Sequence, residues 1–366
     1  MYTRTAYLER IRPFLGKPVV KAITGMRRVG KSYLLRQVVG LLQQDGVAPE
    51  RILYIDKESL DFEHVKTYRD LNRIALEAFA EQPSPCYLVV DEVQEIEEWE
   101  RAIASLSGRG DIDILISGSN AHLLSSELAT LLSGRYVEFP VYSLGFTEHL
   151  VFQGDGVQDR KSEFQNFLRF GGMPATYHFE RDADVIYQYI GSTMSAKSIA
   201  DYLKSQRLRV GVDTVQNYLG YFTEALVAHK VQRYDIKGKR LLDIHEKYYL
   251  NDIGIRHALI GFREADINGL LENLVFLELK RRGYGVSIGK LGDREIDFIA
   301  TRGKEKIYLQ VSYLLAAQET IDREFGVLQD IPDNYPKYVL SLDEFFGGDV
   351  EGIHCLNLVE FLESDA

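Results

Sequence analysis

Eight consecutive residues, Gly25-Met26-Arg27-Arg28-Val29-Gly30-Lys31-Ser32, have the types and spacing to wrap a phosphate group. Glycines at both ends of the run let the backbone curl until successive N–H groups face one anion. Lys31 supplies an ammonium for the β- and γ-phosphates of a nucleoside triphosphate, and Ser32 supplies a hydroxyl for magnesium. With Tyr33 beside it, the run 25–33 is the expected contact for ATP. A second element is Cys86-Tyr87-Leu88-Val89-Val90-Asp91-Glu92, an apolar run that ends in two carboxylates. Asp91 is placed to hold magnesium through its water shell, and Glu92 to orient or deprotonate an attacking water. Gln94 reads equally well as a γ-phosphate contact or a surface residue. A third element, Ser117-Gly118-Ser119-Asn120, can present a polar γ-phosphate sensor at a strand tip; Asn120 is the first choice and Ser119 the second. Either can instead cap a helix. The fourth is Ser133-Gly134-Arg135, whose arginine is a candidate finger for a neighbouring subunit's site or else a salt-bridge partner.

These side chains need a frame that brings strand ends together. Strand-like apolar runs occur at Val19–Thr24, Ile52–Asp56, Tyr87–Asp91, Asp113–Ser117 and Tyr136–Phe139. Helical patterns such as Ser32–Gln44 and Tyr68–Ala80 lie between them. Near-continuous apolar strands alternating with helices predict an α/β fold with a buried parallel sheet. The pattern then changes. The stretch 143–205 reads as mainly helical, broken at Gly171-Gly172-Met173-Pro174. Helices at Ser195–Ser205 and Asp213–Ala225 precede two strands, Lys230–Asp235 and Leu241–His245. In the last third, a helix at Leu270–Arg282 precedes strands at Val286–Ile288, Glu295–Ala300 and Lys306–Val311. A helix at Glu319–Leu328 and strands near Lys337–Leu340 and Ile353–Leu356 complete the chain.

Composition narrows the class. The chain has 366 residues, 45% of them apolar and 27% charged, as in ordinary globular proteins. The longest apolar stretch, Ile307–Ala317, is interrupted by Gln310 and Ser312 and is too short to span a bilayer. No apolar signal core precedes it, so the expected location is the cytoplasm. Cys86 and Cys355 each sit in an apolar run and are expected to be buried free thiols. The net charge of −11 argues against a surface coated for nucleic acid. Residues 1–40, however, carry nine cations (Lys21 among them) against the single acid Glu9, which suits phosphate binding. The eight histidines show no metal-ligand spacing.

Taken together, Thr24–Ser32, Val90-Asp91-Glu92-Val93-Gln94, Ser117-Gly118-Ser119-Asn120, Gly134-Arg135 and Gly171-Gly172-Met173-Pro174 resemble the motifs of a large prokaryotic AAA-like ATPase family. The resemblance covers essentially the whole chain. It implies a P-loop AAA-like core at 1–155, a helical segment with a winged helix at 156–262, and an α/β restriction-endonuclease-like domain at 263–366.

In a winged helix that meets DNA, Asp213–Ala225 enters the major groove and the tip Lys237-Gly238-Lys239-Arg240 touches phosphates. Lys204, Arg207 and Arg209 are further candidate DNA contacts, although the presumed recognition helix holds no lysine or arginine. A nuclease of the PD-(D/E)XK type needs a helix carboxylate, an Asp, and Glu-x-Lys on the next strand. Here Glu272, Glu295, Asp297, Gln310 and Ser312 fall at those places, with Gln310 for the Glu and Ser312 for the Lys. A neutral amide and a hydroxyl supply neither the anion nor the cation, so a catalytically inactive fold is expected. The leading expectation is a magnesium-dependent ATPase acting on DNA as a homo-oligomer. The alternative is a nucleotide-switched protein that works through protein contacts, and third comes an active nuclease.

Overall fold

In the computed structural model the described residues are 2–119, 132, 134–154, 159–178, 212–315, 317–343 and 348–364. The expected helix Ser195–Ser205 therefore lies outside them, as do Asn120, Lys204, Arg207 and Arg209. By internal contacts the chain divides into Met1–Val141 with Glu224–Leu226, and Tyr142–Thr223 with Val227–Ala366.

The first unit is built on one parallel sheet. Its strands are β1 (Val20–Thr24), β2 (Ile52–Asp56), β3 (Cys86–Asp91), β4 (Ile112–Gly118) and β5 (Tyr136–Pro140), in the order 2-3-4-1-5. Every residue of β1, β3 and β4 is buried, which is why these segments read as continuous apolar runs. Helices α1 (Thr5–Ile11), α2 (Lys31–Gln44), α3 (Tyr68–Phe79) and α4 (Trp99–Ser107) complete the unit. Val20, Ile55, Leu88, Ile114 and Trp99 share one core cluster. Cys86 is a buried free thiol, as is Cys355 in the second unit.

One cation is corrected by this packing. Lys21 is fully buried in β1, and its ammonium is bonded to Asp113 of β4 and to the Lys17 carbonyl (3.1 Å). The second Asp113 oxygen accepts from Gly16 N at 2.6 Å. Lys21 is thus a paired interior charge and no part of a phosphate-facing surface. Burial lowers its pKa, and the neighbouring carboxylate offsets only part of that.

The second unit holds α5 (Phe146–Gln153), α6 (Arg160–Phe170), α7 (Val212–Glu224), α8 (Ile253–Ile260), α9 (Ile267–Arg281), α10 (Gln318–Gln329) and α11 (Leu358–Glu363). Its strands are β6 (Ala228–Asp235), β7 (Arg240–Leu250), β8 (Gly285–Leu291), β9 (Arg294–Arg302), β10 (Glu305–Ser312), β11 (Lys337–Ser341), β12 (Gly348–Val350) and β13 (Ile353–Asn357). They form one mixed sheet in the order 12-13-11-10-9-8-6-7. Separate apolar clusters, one containing Phe276, Phe298 and Leu309 and the other Ile299, Phe325 and Val339, are drawn from alternate positions of the same strands.

The β6–β7 hairpin, expected as a wing, is the edge of this sheet. Arg233 of β6 pairs in parallel with Ile288 of β8. The sheet therefore runs across the expected division at 262/263.

Gly171-Gly172 has a packing role. Gly171 caps α6 with φ 72, and the next residue passes flat against other backbone. Gly172 N donates to Asp252 Oδ2 at 2.6 Å, Gly254 N donates to Asp252 Oδ1 at 2.9 Å, and Gly172 O accepts from Leu144 N at 2.8 Å. A Cβ on Gly172 would run into the Leu144 carbonyl oxygen. Gly172→Ala should lower the unfolding free energy by about 2 kcal/mol or more. Gly269→Ala, in α9 with open space at its Cβ, should not. Denaturant melts of the two variants check the contrast.

Candidate phosphate site and a second polar cluster

Parallel strands carry their C-terminal ends to one edge of the sheet. Residues 25–32 follow β1, Asp91 and Glu92 end and follow β3, and Ser117 and Ser119 end and follow β4, all at that edge. The loop is held by its own residues. A Cβ on Gly25 would meet the Val141 carbonyl oxygen, and Gly30 takes φ 97, which favours glycine. Met26 and Val29 are buried and anchor the loop, while Arg27 and Arg28 are exposed. Gly30 is the N-cap of α2, so that helix presents its free N–H groups and partial positive charge to the loop. Tyr33 is 48% exposed, with the Arg36 guanidinium 5.9 Å from its ring centroid.

Inside the loop Lys31 is only 4% exposed. Its ammonium donates to Met26 O at 3.2 Å and to Ser119 Oγ at 2.9 Å, and lies 3.2 Å from Glu92 Oε1. Ser119 Oγ in turn donates to the Glu92 carboxylate at 2.7 Å. Gln94 Nε2 also donates to that carboxylate. Burial lowers the Lys31 pKa, and Glu92 offsets only part of this. Burial pushes the Glu92 carboxyl up, but Lys31, Ser119 and Gln94 together pull it below its ordinary value. Glu92 sits at φ 53, uncommon for a residue with a side chain, and its N–H donates to Ser117 Oγ at 3.0 Å.

Asp91 is 2% exposed. Ser117 Oγ donates to one of its oxygens and Tyr54 OH to the other, at 3.0 Å in the second case. Tyr54 has no part in the sequence reading, and Ser117 enters it only within the motif 117–120, with no role of its own; the signal for both is a polar residue within an otherwise apolar strand. Of the sensor candidates, Ser119 stands in the site. Arg135 does not. It precedes β5 at the opposite sheet edge, since Val20 pairs with Tyr136 and Thr24 with Pro140. About five strand residues, roughly 17 Å, separate it from the loop of its own chain.

Magnesium and a triphosphate fit these donors. Glycine at position 25 lets the loop backbone close against the Val141 carbonyl, Lys31 is a cation inside the loop, and Ser32 and Asp91 are hard oxygen ligands of the kind magnesium takes.

The second unit brings together most of the nuclease-like residues. Glu272 of α9 and Glu295 of β9 both bind one ammonium, Lys247 Nζ of β7, at 2.7 and 2.6 Å. Tyr249 OH donates to Glu272, and Arg233 pairs with Glu295 at 2.6 Å. Gln310 Oε1 accepts from Asp297 N at 2.7 Å, and Gln310 Nε2 donates to Glu324 Oε2 of α10 at 2.7 Å. Asp297 accepts from Val311 N at 2.8 Å, and burial with nearby Glu272 raises its pKa. Ser312 turns to the Leu314 carbonyl at 3.3 Å. Lys247, Arg233, Tyr249 and Glu324 could not be foreseen, because they arrive through strand pairing and helix packing. Among the described residues no three His, Cys, Asp or Glu are arranged to hold a metal ion.

Lys237, Lys239 and Arg240 are exposed at the hairpin tip, whose turn is held by Asp235 Oδ1 accepting from Lys237 N and Gly238 N at 3.1 Å. On α7, Thr214, Gln216, Asn217, Tyr218 and Tyr221 are exposed. Among the described residues no helix is long and apolar enough to cross a membrane.

A parallel sheet ordered 2-3-4-1-5, with a phosphate loop after β1 and an Asp-Glu pair after β3, defines a P-loop nucleotide-binding protein of the AAA type. A family model described as an AAA domain matches residues 17–150, and one described as a domain of unknown function matches 178–266. The chain belongs to the same family as an uncharacterized protein of Haemophilus influenzae, 33% identical over 397 aligned residues that cover 99% of this chain and 98% of that one. A protein of Methanocaldococcus jannaschii is 28% identical over 81% of this chain and 75% of its own length. Similar solved structures include AMPPCP-bound DnaA from Aquifex aeolicus, with 17% identity, coverage of 60% of each chain and a TM-score of 0.29. Another is the Aeropyrum pernix ORC1 protein in complex with DNA, with 12% identity, coverage of 75% of this chain and 93% of that one, and a TM-score of 0.30. The fold rests on the strand order itself.

Replacing Lys247 with Met should leave Glu272 without its cation beside Glu295, which keeps only Arg233. With the Lys247 side chain 28% exposed, a loss of about 2 kcal/mol is expected. Adding Glu272→Gln should recover part of it in denaturant melts.

Proposed function

We propose that this protein binds ATP with magnesium and hydrolyses it, and that turnover drives work on DNA by a homo-oligomer. The chain Lys31–Ser119–Glu92 carries the reading. It joins a phosphate-binding cation to a carboxylate held ionised at neutral pH, in a site that excludes most water. Lys31 and the loop N–H groups hold the phosphates, and Ser32 and Asp91 hold the magnesium, which supplies charge neutralisation when bound. Glu92 accepts a proton from water. Arg135, on the far sheet edge, serves a neighbouring subunit in this reading. In the second unit Glu272, Glu295, Asp297, Gln310 and Ser312 serve as scaffold, because Lys247 already neutralises the acid pair.

DNA is the partner in this reading because the hairpin tip gathers Lys237, Lys239 and Arg240 on a chain of net charge −11. The exposed face of α7, with Thr214, Gln216, Asn217, Tyr218 and Tyr221 and no lysine or arginine, favours a second reading, a nucleotide-switched protein acting through protein contacts.

Steady-state ATP turnover, measured with no DNA and with single strands, duplexes and junctions, tests both. Lys31→Ala should lose nucleotide affinity at least tenfold, and Glu92→Gln should keep affinity and lose turnover by about a hundredfold or more. Stimulation by DNA that vanishes in the Lys237→Ala, Lys239→Ala, Arg240→Ala variant supports the first reading; indifference to every DNA supports the second. Mixing Arg135→Ala with Lys31→Ala protein should restore turnover if Arg135 acts across subunits. Two inactive proteins that stay inactive together would refute that role.

A further inference from the structure

We infer that Gln94 is a positioning residue for hydrolysis, holding Glu92 with its amide N–H and the attacking water with its carbonyl oxygen. The inference rests on the hydrolase reading above and adds a role that the loop, Asp91 and Glu92 leave open.

The two ends of this one carboxamide have different surroundings. Nε2 donates to Glu92 Oε2. The reverse orientation would set a carbonyl oxygen against a carboxylate, so the donor end belongs there. Oε1 is enclosed and has no hydrogen-bond partner among the described residues. A buried acceptor left without a donor costs about 1–3 kcal/mol. Here the orphan oxygen is covalently tied to the group that grips Glu92, so it lies beside the carboxylate that is to receive a proton.

The short turn Val93–Glu95 fixes this arrangement. Glu92, at φ 53, starts the turn, and Val93 is buried beneath it. Glu95 N donates back to Glu92 O at 3.1 Å, closing the turn and fixing the backbone on both sides of Gln94.

A water molecule at this place has two hydrogens to direct. One faces Glu92, and the other can be accepted by Gln94 Oε1. The water's oxygen lone pair is then aimed away from both acceptors. As its oxygen bonds to the γ-phosphorus, the bond from that phosphorus to the bridging oxygen breaks, and ADP leaves with the electron pair. Glu92 takes one proton, and the second stays on the new phosphate oxygen with its hydrogen bond to Gln94. Fixing the direction of attack in this way lowers the barrier without contributing to ATP affinity.

The test uses full-length protein and three variants, Gln94→Met, Glu92→Gln and the double. Gln94→Met keeps the side-chain length and removes donor and acceptor together. It is expected to lower kcat by 10- to 100-fold and to leave the Kd for ATP within threefold. The double variant should be no slower than Glu92→Gln alone, since both residues act on one water. Unchanged kcat, a Kd that rises as far as kcat falls, or a further drop in the double variant would each overturn the proposal. Wild-type protein with no turnover would overturn the hydrolase reading as well. Turnover with an indifferent Gln94→Met would sink this inference alone.

Discussion

A buried ammonium must find anions, and in the first unit Lys31 organises everything around that need. Its stem is packed inside a loop with almost no solvent contact, and its head is shared among a backbone carbonyl, a serine hydroxyl and a carboxylate. The parallel sheet exists at this edge to deliver those partners. β3 brings the carboxylates, β4 brings Ser117 and Ser119, and β2 brings Tyr54 to the outer oxygen of Asp91. Asp91, Glu92, Ser117 and Ser119 bond to partners brought by neighbouring strands, so the edge forms a connected network. Such a network in a low-dielectric setting is stronger than its separate bonds and costly when one member is lost. The left-handed backbone at Glu92 is tolerated because both sides of it are bonded in place.

How much of this could be read beforehand divides by sequence distance. The phosphate loop was legible because its meaning lies in eight adjacent residues. Most strands of both sheets are legible to within a few residues, since buried strands leave apolar runs and β9 and β10 leave alternating ones; β7 runs on past His245 to Leu250, and β12 has no counterpart in the sequence reading. What escaped depends on register. Tyr54 matters only because Asp56 pairs with Asp91, and Ser117 only because β4 lies beside β3. Lys21 was counted with the phosphate-facing cations, as a tally of charge cannot say which way a strand residue points. Arg135 lies next to recognisable motif residues, yet strand direction puts it on the far edge. Asn120, Lys204, Arg207 and Arg209 fall outside the described residues.

In the second unit a single ammonium joins two acids. Glu272 and Glu295 both bind Lys247 from the hairpin. The ammonium comes with the strand, so the hairpin is bound to the sheet by charge as well as by the β6–β8 ladder. Gln310 fits the same logic. Its amide accepts from one backbone group and donates to Glu324, a bridging task that a carboxylate in its place could not perform beside another acid.

The strand order has one more consequence, for a chain made from its N-terminus. β1 lies between β4 and β5, so its two hydrogen-bonded neighbours are among the last strands of the first unit to be synthesised. Val141, whose carbonyl crowds Gly25 and whose N–H donates to Thr24 O at 2.7 Å, comes later still. A growing chain therefore carries the glycine motif for over a hundred residues before Val141 can close against Gly25. Contacts this distant in sequence slow folding. Fragments that end before residue 141 would contain the motif and lack the cradle.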